Sequence, residues 1–287
     1  MANRPQSSPS PRKPDSAPGK KPKNVVAQAR EGGGKPARPA GRALWENLKS
    51  IAGAVVIYLV IKTLFIEAFR IPSGSMIPTL LVGDWLFVNK LAYGPTIPFT
   101  NSHLPGYTSP KHGDVVVFVS PYQADNPEDY TPTLVKRLIG MPGDTLLMRD
   151  GVLSLNGAPQ RQSFAASNPS GDNSSVAPNF EWQHTIEVKG SRFGPPPAQP
   201  TLGNWGPLVI PADHYFMMGD NRYCSKDSRY WGVVPKGNIR GRPLFIYYSY
   251  VPGASGTTND PCSGEVSDRP VSFITDIRWS RLGHWVR

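Results

Sequence analysis

A single apolar stretch stands out against the mixed polar and apolar pattern of the chain. Residues Ser50 to Phe69 read SIAGAVVIYLVIKTLFIEAF, with no charged residue between Ile51 and Ile61. A helix from Trp45 to Phe65 would be roughly 30 Å long at about 1.5 Å per residue, which matches the hydrocarbon core of a bilayer. Lys62 lies close enough to its end for the alkyl stem to snorkel, and Trp45 supplies an interfacial anchor at its start. The pattern therefore predicts one transmembrane helix over residues 45–66. A core helix buried inside a soluble domain is the alternative with the same hydropathy.

Beyond the helix the period changes. Short runs rich in Val, Ile, Leu, Tyr and Phe follow: DWLFVNKLAYG (84–94), GDVVVFVSP (113–121), TLVKRLIGMPGDTLLMRDGVLSLNG (133–157), HTIEVKG (184–190), HYFMMGDN (214–221) and NIRGRPLFIYYSY (238–250). Turn pairs such as Gly-Asp, Asp-Gly and Asn-Gly punctuate them, and DGVLSLNG is a hairpin signature. With 32 prolines and 28 glycines in 287 residues, long helices outside the span are disfavoured. Residues 67–287 are thus expected to form a mainly β domain. Within it, residues 158–207 carry NPSGDNSSVAPN and FGPPPAQP and break the rhythm, which predicts a smaller inserted subdomain of strands and loops.

The net charge of +10 suggests a nucleic-acid partner only until its distribution is examined. Residues 1–43 hold ten Lys and Arg against Asp15 and Glu31, a net +8, so the remainder carries +2. The folded part is not a phosphate-tracking surface, and no nucleic-acid partner is expected. The tail, rich in Pro, Ser, Ala and Lys, has too little apolar area to offset its ordering entropy and reads as disordered. By the positive-inside rule it stays cytoplasmic, which sends everything after the helix to the far side of the bilayer.

Just beyond the helix lies IPSGSMIP (71–78), with two hydroxyls flanking a glycine. Such a stretch is ordinarily a turn. A nucleophilic serine needs a base, and none of the five histidines (His103, His112, His184, His214, His284) sits in a recognisable catalytic context, because G-x-S-x-G and H-E-x-x-H are both absent. A lysine can serve if burial lowers its pKa. In TLVKRLIGMPGD, alternation puts Lys136 and Leu134 on one face and Arg137 on the other, so one cation would turn inward and the other outward. An exposed edge-strand Lys136 fits that local pattern equally well.

Three blocks in order resolve the choice: KTLFIEAFRIPSGSMIPTLLVGD (62–84), VKRLIGMPGD (135–144) and GDNRYCSKDSRYWGVVP (219–235). Following a membrane helix, and with RWSRLGHWV (278–286) at the end, they resemble the type I signal peptidases, serine/lysine peptidases that remove secretory signal peptides. The blocks cover about a fifth of the chain. The resemblance implies a membrane-anchored catalytic β-domain in which Ser75 is the nucleophile and Lys136 the general base. It also implies an oxyanion hole formed by the Ser73 hydroxyl and the Ser75 backbone N–H, and a Ser225 hydroxyl that orients the lysine amine. Asp227 and Arg229 match a supporting ion pair, and Asp220 lies in the same block. Met76 and Ile71 would help to keep water from the amine. Implied partners are signal-peptide-bearing preproteins cleaved at A-x-A-like sites and the lipid bilayer, with neither metal nor cofactor. The implied location is the bacterial plasma (inner) membrane, single-pass, N-terminus cytoplasmic, with a periplasmic catalytic domain.

Two further readings compete with this one. A related Ser/Lys maturation peptidase with a dedicated client would keep the same residues, and a non-catalytic membrane-tethered β-domain would make Ser75 and Lys136 dispensable. Position 224 is Cys where such proteins often carry Asn. Cys224 and Cys262 could form an extracytoplasmic disulfide or remain two free thiols.

Overall fold

In a computed structural model, residues 40–287 are described apart from 98–99, 101, 124–127, 164, 166–177, 189, 191 and 254–273. Most of the tail read as disordered, residues 1–39, therefore lies outside the described residues. The chain divides into two units, Met1–Ser50 and Ile51–Arg287. Helix α1 (Ala40–Leu64) begins in the first and ends in the second. Its Trp45–Leu64 portion is long and apolar enough to cross a membrane, and none of that window is buried. Ile51 and Ile57 are each 62% exposed, a surface with no solvent rationale in water. The helix starts at Ala40, slightly earlier than the expected end of the tail at residue 43. It stops at Leu64, where Ile66, expected as its last residue, opens a strand instead.

The second unit is antiparallel throughout. Strands β1 (Ile66–Arg70), β2 (Asp84–Asn89), β3 (Val115–Val119) and β4 (Thr133–Gly140) belong to a seven-stranded sheet. Strands β5 (Thr145–Arg149), β6 (Val152–Leu155), β7 (Ala158–Pro159) and β8 (Trp205–Val209) form a second sheet of four, in the order β7-β6-β5-β8. Strand β9 (His214–Met218), the short helix α2 (Ser228–Trp231), β10 (Val234–Pro235) and β11 (Ile239–Ser249) complete the first, whose order is β1-β2-β11-β3-β4-β9-β10. Asp150 and Gly151, at φ 49° and 77°, make the tight β5–β6 turn that the Asp-Gly pair predicts.

Three clusters fill the interior. Ile71, Met76, Leu80, Leu86, Val88, Val117 and Ile246 pack beneath β2, β3 and β11. Val116, Phe118, Leu138 and Met217 form a second cluster, and Leu146, Leu153, Trp205, Leu208, Phe216 and Met218 join the smaller sheet to β9. Successive residues Val116 and Val117, or Met217 and Met218, enter different clusters, as a period of two requires. Each such side chain contributes about 1.5–3 kcal/mol by leaving water, so these clusters fix the strands on which the polar site rests.

Two strand expectations change. HTIEVKG is not a strand: a 3-10 helix occupies Pro178–Thr185, and only Glu187 bridges to Leu208. Conversely, WGPLV (205–209), which begins inside the region read as an insertion and runs past its end at 207, is the full strand β8. Its Gly206 has φ 72°, which a residue with a side chain would adopt only under strain.

Candidate active site

Strand β1 delivers the chain into Ile71, Pro72 and Ser73, and a 3-10 turn follows over Gly74–Met76. Met76 is buried in the core, which fixes the turn, and Ser75 is 8% exposed. The turn is held from outside as well. The Asn221 backbone N–H donates to the Ser75 carbonyl at 3.1 Å, and its side-chain amide donates to the Gly74 carbonyl at 3.2 Å. Ser73 precedes the turn and makes no capping bond with its side chain; its hydroxyl instead donates to Ser75 Oγ at 3.5 Å.

Strand β4 brings Lys136 to the same point. Its residue is 3% exposed, and Nζ stands 2.6 Å from Ser75 Oγ. Burial penalises the ammonium form and pulls the amine down to about 8, against smaller opposing fields from Asp227 and Asp220. At 2.6 Å an uncharged amine can accept the hydroxyl proton, which is the geometric requirement for a general base.

Arg137 departs from expectation. It does not turn to solvent: it is 2% exposed on the other side of β4. What makes the burial tolerable is a forked pair with Asp220, Nε to Oδ1 at 2.8 Å and Nη2 to Oδ2 at 2.7 Å, together with a bond to the Gly113 carbonyl at 2.6 Å. Thr79 also donates to Asp220. Asp220, expected among the groups supporting the lysine, is therefore chiefly the counter-ion of Arg137.

The loop from Gly219 to α2 is built around a second buried pair. Asp227 receives Arg229 Nε and Nη2 at 2.9 Å each, caps α2 by accepting the Arg229 backbone N–H, and accepts the Gly219 N–H at 3.0 Å. Burial alone would raise this carboxyl, but the Arg229 guanidinium prevails and holds it below the ordinary aspartate range. Ser225 is buried in the site without a hydrogen bond to the Lys136 amine; its Oγ has no partner of good geometry, although its nearness helps to lower Asp227. Ser225 sits hard against Gly219, where an added Cβ would come 2.2 Å from Ser225 Oγ and 2.4 Å from the Ser75 carbonyl oxygen. Only glycine permits that approach. Cys224, next to Ser225, is disulfide-bonded; Cys262, the other cysteine, lies outside the described residues.

Local sequence reasoning missed Arg137, Thr79 and Asn221, and also Asp84. Asp84 is fully buried and accepts from Ser249 Oγ at 2.6 Å and from Arg281 Nε at 2.9 Å, which ties the C-terminal RWSRLGHWV segment to the loop after the serine turn. Among the described residues, no group of three or more His, Cys, Asp and Glu is arranged to hold a metal.

A buried serine–lysine contact on a β scaffold defines a class of hydrolase sites, and comparison with known proteins narrows the class. The family model "Signal peptidase, peptidase S26" matches residues 44–248. A signal peptidase I of Pseudomonas aeruginosa is 36% identical over 222 residues, covering 72% of this chain and 73% of the relative. One from Pseudomonas fluorescens is 35% identical over 221 residues, with the same coverage. A crystal structure of a signal peptidase I from Enterococcus faecalis matches 47% of this chain and 97% of its own at 27% identity, with a TM-score of 0.30. The chain belongs to the signal peptidase family, peptidase S26, and is a serine endopeptidase.

Proposed function

We propose that the chain is a membrane-bound peptidase that removes N-terminal signal peptides from secreted preproteins, with Ser75 as nucleophile and Lys136 as general base. The observation that carries the reading is the 2.6 Å separation of a buried amine and a buried hydroxyl, with the amine's pKa lowered to about 8.

The chemistry is acyl transfer. Lys136 takes the Ser75 proton as Oγ attacks the carbonyl carbon of the scissile bond, and the oxygen that becomes negative is met by the Ser73 hydroxyl and the Ser75 backbone N–H. The C–N bond breaks as the lysine ammonium returns the proton to the departing amine of the mature protein. The signal peptide is left as an ester on Ser75. Water, deprotonated by the same amine, then cleaves the ester and restores both residues.

Free backbone edges support an extended substrate. Strand β1 is an outer strand of its sheet, and β4 pairs with β9 only from Arg137 onward, so its Thr133–Lys136 portion has one side unpaired by β9. A peptide lying along these edges would present alternate side chains to small pockets, consistent with A-x-A-like sites. Helix α1 supports a single membrane span, and the basic tail supports a cytoplasmic N-terminus with the site on the outer side of the bacterial plasma membrane. The test is cleavage of a preprotein in lipid vesicles by wild type, Ser75→Ala and Lys136→Arg. Both variants should be inactive, since a guanidinium cannot give up its proton; substantial turnover by Lys136→Arg would refute the assigned base.

A further inference from the structure

Among the described residues, one buried cation near this site has no carboxylate paired with it. Arg222 is 8% exposed, yet its partners are neutral: Nε donates to the Gly219 carbonyl at 3.1 Å, and Nη2 donates to the Gln162 side-chain oxygen. The two nearest carboxylates are already matched, Asp220 with Arg137 and Asp227 with Arg229. The Arg222 Nη1 makes no hydrogen bond among the described residues, and Arg222 lines a cavity of about 170 Å³. Gln160, Gln162 and Tyr223 line the same cavity, with the backbones of Gly151 and Gly203. No Asp or Glu is among its described lining residues, whereas two arginines are.

This arrangement is costly when empty of anions. A guanidinium out of water needs a charged or fully hydrogen-bonded environment, and neutral acceptors offset only part of the loss. Burial, reinforced by the Arg229 charge, pulls the Arg222 guanidinium down to about 10, which leaves it cationic at neutral pH. The cavity combines that charge with room for several water-sized groups and two glutamine side chains able to donate. A carboxylate is the group whose planar fork matches a guanidinium.

We propose that this cavity is a binding site for a small carboxylate or similarly sized oxyanion, anchored by Arg222. The site bears directly on the active-site loop: Arg222 follows Asn221, which holds the Ser75 turn, and its carbonyl accepts Arg229 Nη2 at 2.6 Å. The carboxylate has two possible sources, a free anion or an acidic side chain from the first residues of the mature protein leaving the site.

Gln162→Glu separates these from non-specific salt effects, because it places a carboxylate where a neutral oxygen already meets Arg222. Wild type titrated with formate should gain about 3–6 °C in Tm, the shift expected for a domain of this size at a concentration near ten times Kd. Gln162→Glu should start with a higher Tm and gain little. For the second source, two precursors differ only by Glu or Gln just after the cleavage site. The wild type should prefer the Glu form by about tenfold in kcat/KM, formate should erode the preference, and Gln162→Glu should lack it while still cleaving the Gln form. The thermal arm stands without the proposed peptidase activity, and only the second arm rests on it. A formate shift alone identifies a free-anion site, and a Glu preference identifies a substrate site. Equal formate responses in both proteins together with no Glu preference would overturn the proposal.

Discussion

Acidification should switch the enzyme off along a curve fixed by Lys136. Burial sets the amine at about 8, so the neutral, proton-accepting fraction is about nine-tenths at pH 9, about one-eleventh at pH 7 and about one-hundredth at pH 6. If the amine is the base, kcat/KM on a peptide without ionisable groups should fall about ninety-fold from pH 9 to pH 6. The logarithmic plot should have unit slope below the inflection. Stability should carry the same signature. The unfolded lysine holds its proton up to its ordinary 10.5 and the folded one releases it near 8, so the unfolded state binds more protons in that window. Wild type should therefore gain stability over Lys136→Met as pH rises from about 8 to 10.5, by about 3 kcal/mol in all, and lose that advantage as pH falls back through 8. Denaturation across pH measures this. A rate profile flat to pH 6, or one inflecting near 10.5, would refute a buried, deprotonated Lys136.

Gly219→Ala should lower kcat by at least about a hundredfold, because its Cβ would displace either the Ser225 hydroxyl or the Ser75 carbonyl by roughly an ångström, while the fold, followed by circular dichroism, persists. Reduction of the disulfide at Cys224 should cost about 2–4 kcal/mol in denaturant unfolding and depress turnover through the adjoining Ser225, whereas unchanged stability would show that the bond constrains nothing.

What could be read in the chain depended on the range over which each interaction acts. The span over Trp45–Leu64 and the Asp150-Gly151 turn are local, and hydropathy and turn chemistry sufficed for both. Ser75 and Lys136 emerged through ordered blocks of sequence, and the fold brings these residues, 61 positions apart, to within 2.6 Å. Arg137 was misplaced because alternation counts faces and not partners; its counter-ion is 83 residues away. Asp84 and Arg281, 197 residues apart, were invisible for the same reason. Strand β1 was not singled out, and its first residue, Ile66, was assigned to the helix, because IEAFR has helix-compatible residues and only its pairing with β2 makes it extended. Strand β8 was hidden by a Gly-Pro pair in its middle, chemistry that normally argues against a strand.

The arrangement of charge explains why Lys136 can be neutral in a site surrounded by ions. Strand β4 presents consecutive cations, and the loop that follows β9 supplies two carboxylates, enough to have kept both charged. Each carboxylate instead faces an arginine: Asp220 forks onto Arg137 and Asp227 onto Arg229. Because each pair is nearly neutral as seen from the lysine, the fields of Asp227 and Asp220 raise the amine less than burial lowers it, and Arg229 adds to the lowering. A guanidinium keeps its proton at any physiological pH and an amine does not. The arginines therefore retain the carboxylates, and the lysine is left as the one cation of this set that can relieve its burial by giving up a proton.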